Sequence, residues 1–197
     1  MKKQIRILVL TVLLAAFGAT AAFAERPAGW RGGLNFAHSF RRNTYDREND
    51  YMIGLEGTYR YNFASRLFID PSVSLFWQHF PKYEEYWDYY MRSSRAKNDI
   101  HHPFGIGIEP KFIFGVYLGG DLELSTGPSF RWNFIHHASR YTDYRNYMAL
   151  WNFRLGHSFG RHLHGYVEYQ QHLTHFDDSP SYGHTNNYIG LGLSWCF

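Results

Sequence analysis

Ten charged side chains stand alone, one or two at a time, inside otherwise apolar segments: Glu56, Arg60, Asp70, Glu109, Lys111, Asp121, Glu123, Arg131, Arg154 and Glu168. Acids and bases alternate with large apolar residues, so they share one face of an extended chain. A narrow, partly dehydrated interior would force them to pair, because an unpaired buried charge is costly. The same set could also line a gated ion path, and spacing alone does not separate the two. The 12 histidines form a second group. His38, His79, His101, His102, His136, His137, His172, His175 and His184 fall at segment ends or in hydrophilic stretches. Neutral imidazoles ligate zinc, nickel and copper. However, no His-x-His or His-x3-His pair stands beside carboxylates, and His172-x-x-His175 is the nearest approach to a ligand pair. No metal is assigned and no cofactor is implied. The other reading is an amphipathic rim at lipid headgroups, where protonated imidazole meets phosphate. Thr174, two residues after His172, is a nucleophile only if a base activates it.

These residues are positioned by eight extended segments. Near 30–40, Leu34, Phe36 and Phe40 oppose Gly33, Asn35, Ala37 and Ser39. Near 51–61, Tyr51, Ile53, Leu55, Tyr59 and Tyr61 oppose Glu56, Thr58 and Arg60. Segment 67–79 sets Leu67, Ile69, Val73, Leu75 and Trp77 against Asp70, Ser72, Ser74 and Gln78. The pattern repeats near 103–112, 118–134, 147–155 and 163–173, and in the last ten residues. Period-two alternation with one continuous apolar face predicts strands, and no helical period competes. The connections 62–66, 113–117 and 156–162 are short. Those at 41–50, 80–102, 135–146 and 174–187 are long. That asymmetry is expected of a membrane barrel with short inner turns and long outer loops. Aromatics make up 20% of the chain and many fall at segment ends (Trp30, Phe40, Tyr59, Tyr61, Trp77, Phe80, Trp132, Phe134, Tyr147), where interfacial girdles sit. Eight strands leave a lumen just wide enough for side chains to fill, which argues against a general diffusion pore.

The N-terminal 24 residues read as a cleaved secretory signal. Lys2, Lys3 and Arg6 precede an apolar run, and Ala22-Phe23-Ala24 offers a small-x-small cleavage site. Residues 25–197 then form one domain. Without the leader's three cations, Lys+Arg falls from 20 to 17, equal to the 17 Asp+Glu. A neutral mature chain argues against nucleic acid as a partner. The one cysteine, Cys196, excludes an intramolecular disulfide framework and an N-terminal lipoprotein anchor, and reads as a small buried filler. No later stretch approaches the roughly 20 apolar residues of a spanning helix. A mature chain in a membrane must therefore be a closed barrel.

In the terminal segment Ile189, Leu191, Leu193, Trp195 and Phe197 form one apolar face, and the sequence closes on an aromatic. This resembles the last strand of bacterial outer-membrane barrels. There, a terminal Phe with alternating apolar residues is recognised by the barrel-assembly machinery. Residues 25–197 resemble the small outer-membrane barrel superfamily of the OmpA barrel-domain and OmpX kind. The resemblance implies an all-β, eight-stranded antiparallel up-and-down transmembrane barrel in the bacterial outer membrane. It implies outer-membrane lipid, lipopolysaccharide and the assembly machinery as partners. Its function would be envelope-structural or surface-interacting. The loops suggest an extracellular ligand, because Tyr83, Tyr86, Trp87, Tyr89 and Tyr90 interleave with both charges and supply contact area at low entropic cost. Two alternatives stay open. One is a small gated pore. The other is a lipid A-modifying hydrolase: the region Gln171-His172-Leu173-Thr174-His175 is similar to the His-x-Ser-Asn motif of the lipid A deacylase barrels. His172 matches by position, with Thr174 in place of Ser and His175 in place of Asn.

Overall fold

The structure, a computed structural model, describes residues 28–40, 50–79, 83–85, 99–101, 104–136, 144–176 and 187–197. The leader expected at 1–24, the aromatic loop stretch 86–98 and His102, His137 and His184 lie outside the described residues. So do the side chains of His101 and His175.

Eight strands close into one antiparallel barrel. They are β1 (Gly29–Phe40), β2 (Tyr51–Ala64), β3 (Leu67–His79), β6 (Phe104–Gly119), β7 (Leu122–His136), β8 (Tyr144–Phe159), β9 (Leu163–His175) and β10 (Asn187–Cys196). Each pairs with its neighbours in the barrel order. β1 closes against β10 from Arg31↔Cys196 to Phe40↔Asn187. The Phe197 amide completes the seam by donating to the Trp30 carbonyl at 3.0 Å. A short hairpin of β4 (Tyr83–Glu85) and β5 (Asp99–His101) forms a separate two-stranded sheet in the connection between β3 and β6.

The register fixes the barrel's dimensions. From Leu67 on β3, partners run Val116, Leu124, Leu155, Val167, Leu191, Phe36, Ile53 and back to Trp77. One circuit therefore returns to β3 ten residues further on. With a rise of about 3.3 Å per residue and strands about 4.8 Å apart, that stagger tilts the strands by about 40° and sets a backbone radius of about 8 Å. Such a radius leaves an interior for side chains and little else. Every residue on this row faces outward, and all of them are aliphatic or aromatic. Leu191 is 57% exposed and Leu155 48%. The burial pattern of β2 alternates strictly from Met52 to Arg60, with Met52, Gly54, Glu56, Thr58 and Arg60 inward. The outside is greasy and the inside polar, the reverse of a soluble protein and the arrangement a bilayer requires.

Lumen-facing glycines make room for rings. A Cβ on Gly115 would lie 2.0 Å from the Phe68 ring, and one on Gly192 would lie 2.1 Å from the Tyr166 ring. Inward aromatics thus lie flat against bare backbone of a neighbouring strand.

Two expected turns move. Residues 113–117 are strand, with Ile113 and Tyr117 buried inward, and β6 continues to Gly119. The reversal comes at Gly119-Gly120, whose positive φ values (128° and 57°) favour glycine. Likewise β8 runs to Phe159, and its turn begins at Gly160, at φ 74°. In both cases the apolar alternation carries through the segment read as a turn, so the strand had no reason to stop there. The first correction also removes Asp121 from the lumen. It sits exposed in the turn, its carbonyl accepting from the Ser158 amide at 2.9 Å.

If the outward face meets hydrocarbon, Leu155→Arg, flanked by Leu124 and Val167, should lower stability by about 2–4 kcal/mol. Urea titration of refolding into lipid vesicles, read by the gel shift between boiled and unboiled samples, measures it. An unchanged midpoint would contradict the lipid-facing assignment.

Candidate functional site

The described side chains with the densest chemistry fill the lumen in three layers. At the short-turn end Arg60 is the hub. It is 1% exposed. Its Nε donates to Asp70 Oδ1 at 2.8 Å and Nη2 to Glu123 Oε1 at 2.8 Å. Nη1 reaches the other Glu123 oxygen and the Tyr117 hydroxyl, the latter at 3.3 Å. The guanidinium lies 3.6 Å from the centre of the Phe68 ring, stacked on its face. His164 Nε2 approaches Glu123 Oε1 at 2.7 Å. Asp70 on β3 is Arg60's neighbour along the wall, whereas Glu123 on β7 ties β2 to the far side of the barrel.

The middle layer is a larger network. Lys111 Nζ lies 3.2 Å from Glu56 Oε2, 3.2 Å from Glu168 Oε2 and 3.7 Å from Glu109 Oε1. Arg154 bridges Glu168 (2.5 Å) and Glu56 (2.9 Å). Arg131 donates to Glu109 at 2.8 Å and to Gln170 at 2.5 Å, with its guanidinium carbon 4.5 Å from the Tyr188 ring centre. Tyr166 donates to Glu56 at 3.1 Å. In these two layers Glu56, Asp70, Glu109, Glu123 and Glu168 meet Arg31, Arg60, Lys111, Arg131 and Arg154, five against five, all buried. Paired carboxylates and guanidinium forks satisfy most of each other's hydrogen bonds, which offsets the cost of removing them from water, and Arg131 Nη1 is left without a protein partner. A void of about 20 Å³ between Lys111, Arg131, Glu109 and Gln170 has room for about one water.

The outer layer is mostly uncharged. Asn133 donates to Gln78 at 2.5 Å, and Gln78 donates to the Asp50 carboxylate. Asp50 is fully buried, its amide donating to Ser39 Oγ at 3.0 Å. Met52, Phe76 and Tyr188 pack together beside them.

Of the ten charged residues singled out from the sequence, all but Asp121 are buried in this interior. Sequence reasoning missed Arg31, Asp50, Tyr117 and Tyr166, and put His164 and Tyr188 on the inward face without giving them a role. Arg31 and His164 carry the inward parity of their strands, so alternation could have found the former as it placed the latter. Tyr117 was hidden by the misplaced turn. Inward tyrosines look like lipid-facing ones until the glycine that receives the ring is known.

The other candidates lie elsewhere. His172 is half-buried and its amide donates to Asn187 Oδ1 at 3.1 Å. Thr174 is exposed. A register irregularity separates them: Leu150 pairs with His172 and Ala149 with Thr174, leaving Leu173 as the extra residue. Among the described residues no group of three metal-ligating side chains converges. Ile189, Leu191, Leu193, Trp195 and Phe197 all face outward and are exposed. Cys196 is a free thiol, half-buried.

A family model described as the outer membrane protein beta-barrel domain matches residues 9–197. The chain belongs to this family. It is a protein of the bacterial outer membrane. Its fold is similar to that of Neisserial surface protein A, at 10% identity over 86% of this chain and 98% of that one, TM-score 0.55. It is likewise similar to Ail, the attachment invasion locus protein of Yersinia pestis, at 10% identity over 88% and 100%, TM-score 0.51. The N-terminal barrel domain of Pseudomonas aeruginosa OprF matches at 13% identity over 86% and 98%, TM-score 0.48. No curated protein sequence matches the chain.

Arg60→Ala should destabilise this outer-membrane barrel by about 3–5 kcal/mol, because Asp70 and Glu123 lose their shared cation while staying buried. Adding Asp70→Asn and Glu123→Gln should recover much of that loss. Urea midpoints in vesicles check both, and a wild-type midpoint for Arg60→Ala would show the hub to be idle.

Proposed function

We propose that the protein is a closed outer-membrane platform that acts through its outer surface, in an envelope-structural or surface-interaction role. The observation that carries this reading is the filled lumen. Two layers of buried ion pairs and a third of amides and aromatics cross the interior. A conducting path would have to break several buried charge pairs at once, each expensive to leave unpaired. The outer connections, which carry the tyrosine-rich stretch, then remain as the part that meets other molecules.

The purified protein in planar bilayers should give no discrete conductance steps once insertion is verified. Regular steps would replace this reading with a gated pore. Exchanging residues 86–98 for a short Gly-Ser link should leave the gel shift intact and weaken attachment of expressing bacteria to an epithelial cell layer. Equal attachment by the two strains would remove the loop from the proposal.

The barrel-assembly machinery is part of the same reading. Phe197 is 82% exposed and its ring lies 3.5 Å from where a side chain on Gly32 would begin, on the outside of the closing seam. Deleting Phe197 should lower the amount of folded protein in the outer membrane of cells while spontaneous refolding into vesicles stays near normal. Equal losses in both would mean that Phe197 serves stability alone.

A further inference from the structure

Three of the chain's seven prolines stand inside barrel strands: Pro71 on β3, Pro110 on β6 and Pro128 on β7. All three are exposed on the outward face. Proline has no amide to give a ladder, and sheets confine it to edges, strand starts and bulges. A closed barrel has no edge, and hydrocarbon supplies no substitute donor. Pro110 and Pro128 nevertheless fall near the middle of their strands, and on the same ladder.

The inward residues of β6 bond to β3, as Tyr117 does by donating to the Arg66 carbonyl at 2.9 Å. Alternation then turns the outward residues of β6 to β7. In this register Pro110 stands opposite Phe130, and Pro128 opposite Phe112. Phe112 and Phe130 still donate to the proline carbonyls, but their own carbonyls have no ladder amide to accept. The pairing records the loss: between Ile108↔Trp132 and Phe114↔Thr126 it is reduced to Lys111↔Ser129. The Phe112 carbonyl leans over Gly127, where any Cβ would overlap it. By contrast, β1–β10 is unbroken from Arg31↔Cys196 to Phe40↔Asn187. Pro71 interrupts β2–β3 once, between Thr58↔Ser72 and Tyr61↔Ile69.

Side chains hold the wider gap closed from the lumen. Glu109, buried on β6, accepts from Ser129 Oγ at 2.8 Å and from Arg131 Nε at 2.8 Å, both on β7. Gln170 on β9 donates to the same carboxylate at 2.9 Å. One carboxylate thus stands in for two backbone bonds. A ladder is held by many pairs at once, whereas this closure hangs on the pairing of a single side chain. The smaller gap at Pro71 loses one bond and is spanned by Arg60 Nε and Asp70 Oδ1 at 2.8 Å.

We propose that the β6–β7 wall is a lateral seam with Glu109 as its latch. It opens locally between Ile108 and Phe114 while the other strand pairings of the barrel stay closed. Opening exposes Lys111 and Ser129 sideways. The Arg60 layer, tied to Asp70 and Glu123, lies nearer the short-turn end and remains in place, so no channel forms along the axis. The seam goes beyond the platform reading and is independent of it. Conductance along the axis bears on the platform alone.

The test is amide-resolved hydrogen exchange, read by NMR on the whole mature protein in lipid nanodiscs. Phe36 and Leu191, an outward pair of the unbroken β1–β10 ladder, serve as reference. In the wild type the Phe112 and Phe130 amides should exchange roughly tenfold faster than these two, the net worth of about one hydrogen bond. Glu109→Gln weakens the latch and should speed Phe112 and Phe130 by roughly tenfold more, with Phe36 and Leu191 unchanged. The combined variant Pro110→Val and Pro128→Val supplies the missing amides and should slow Phe112 and Phe130 to the reference rate. If it does not fold, as judged by the gel shift, each substitution is made singly, and each should give part of the slowing. Equal rates at the four amides in the wild type would overturn the seam. So would folded valine variants that exchange as fast as the wild type. Glu109→Gln speeding all four amides alike would overturn the latch, by showing that the carboxylate serves only the stability of the whole barrel.

Discussion

Hydrocarbon offers no hydrogen bonds, so a chain that crosses it as strands must pair every strand with two others. The β1–β10 seam meets that requirement, and much else follows from closing it with eight strands. Closure with a stagger of ten residues fixes the tilt and a radius of about 8 Å. A cylinder that narrow cannot hold a wide channel. It must be packed, and strand alternation dictates that what packs it is the polar half of each strand.

A polar core in a membrane protein carries a different obligation from an apolar one. It must be internally complete. Arg60 illustrates how this is met: one planar fork serves two carboxylates and a phenol and is roofed by Phe68. Lys111, with three rotatable donors, suits the place where three carboxylates converge. Glycines opposite Phe68 and Tyr166 let rings close the remaining space. Some of these pairings follow adjacent strands, but those from Arg60 to Glu123 and from Arg154 and Lys111 to Glu56 cross the barrel, so they stabilise the closed shape and not merely adjacent ladders.

An interior committed to neutralising itself has little left with which to bind, which is why the proposed role is assigned to the outer surface. Among the described residues the eight barrel strands turn their carboxylates inward, so the lumen balances its own charge while the lipid-facing side of the strands carries none. The barrel fold itself is shared with Neisserial surface protein A and Ail.

Alternation by itself determined which residues face lipid and which face the lumen, since period two is a local property of each strand. It also determined the strand number and the four long connections. It misplaced the turns after β6 and β8, because Ile113–Tyr117 continues the same rhythm and only the glycines at 119, 120 and 160 break the backbone. Asp121 was misassigned for that reason, and Asp50 was left in a loop although it folds inward onto Ser39 and Gln78. Only the tertiary structure decided who meets whom. Arg60 and Glu123 are 63 positions apart, and Glu56 and Arg154 are 98 apart. His38 and His136 fall on one level of the wall only through four successive strand pairings. Register is set by closure of the whole cylinder, a global constraint that no single strand's pattern contains.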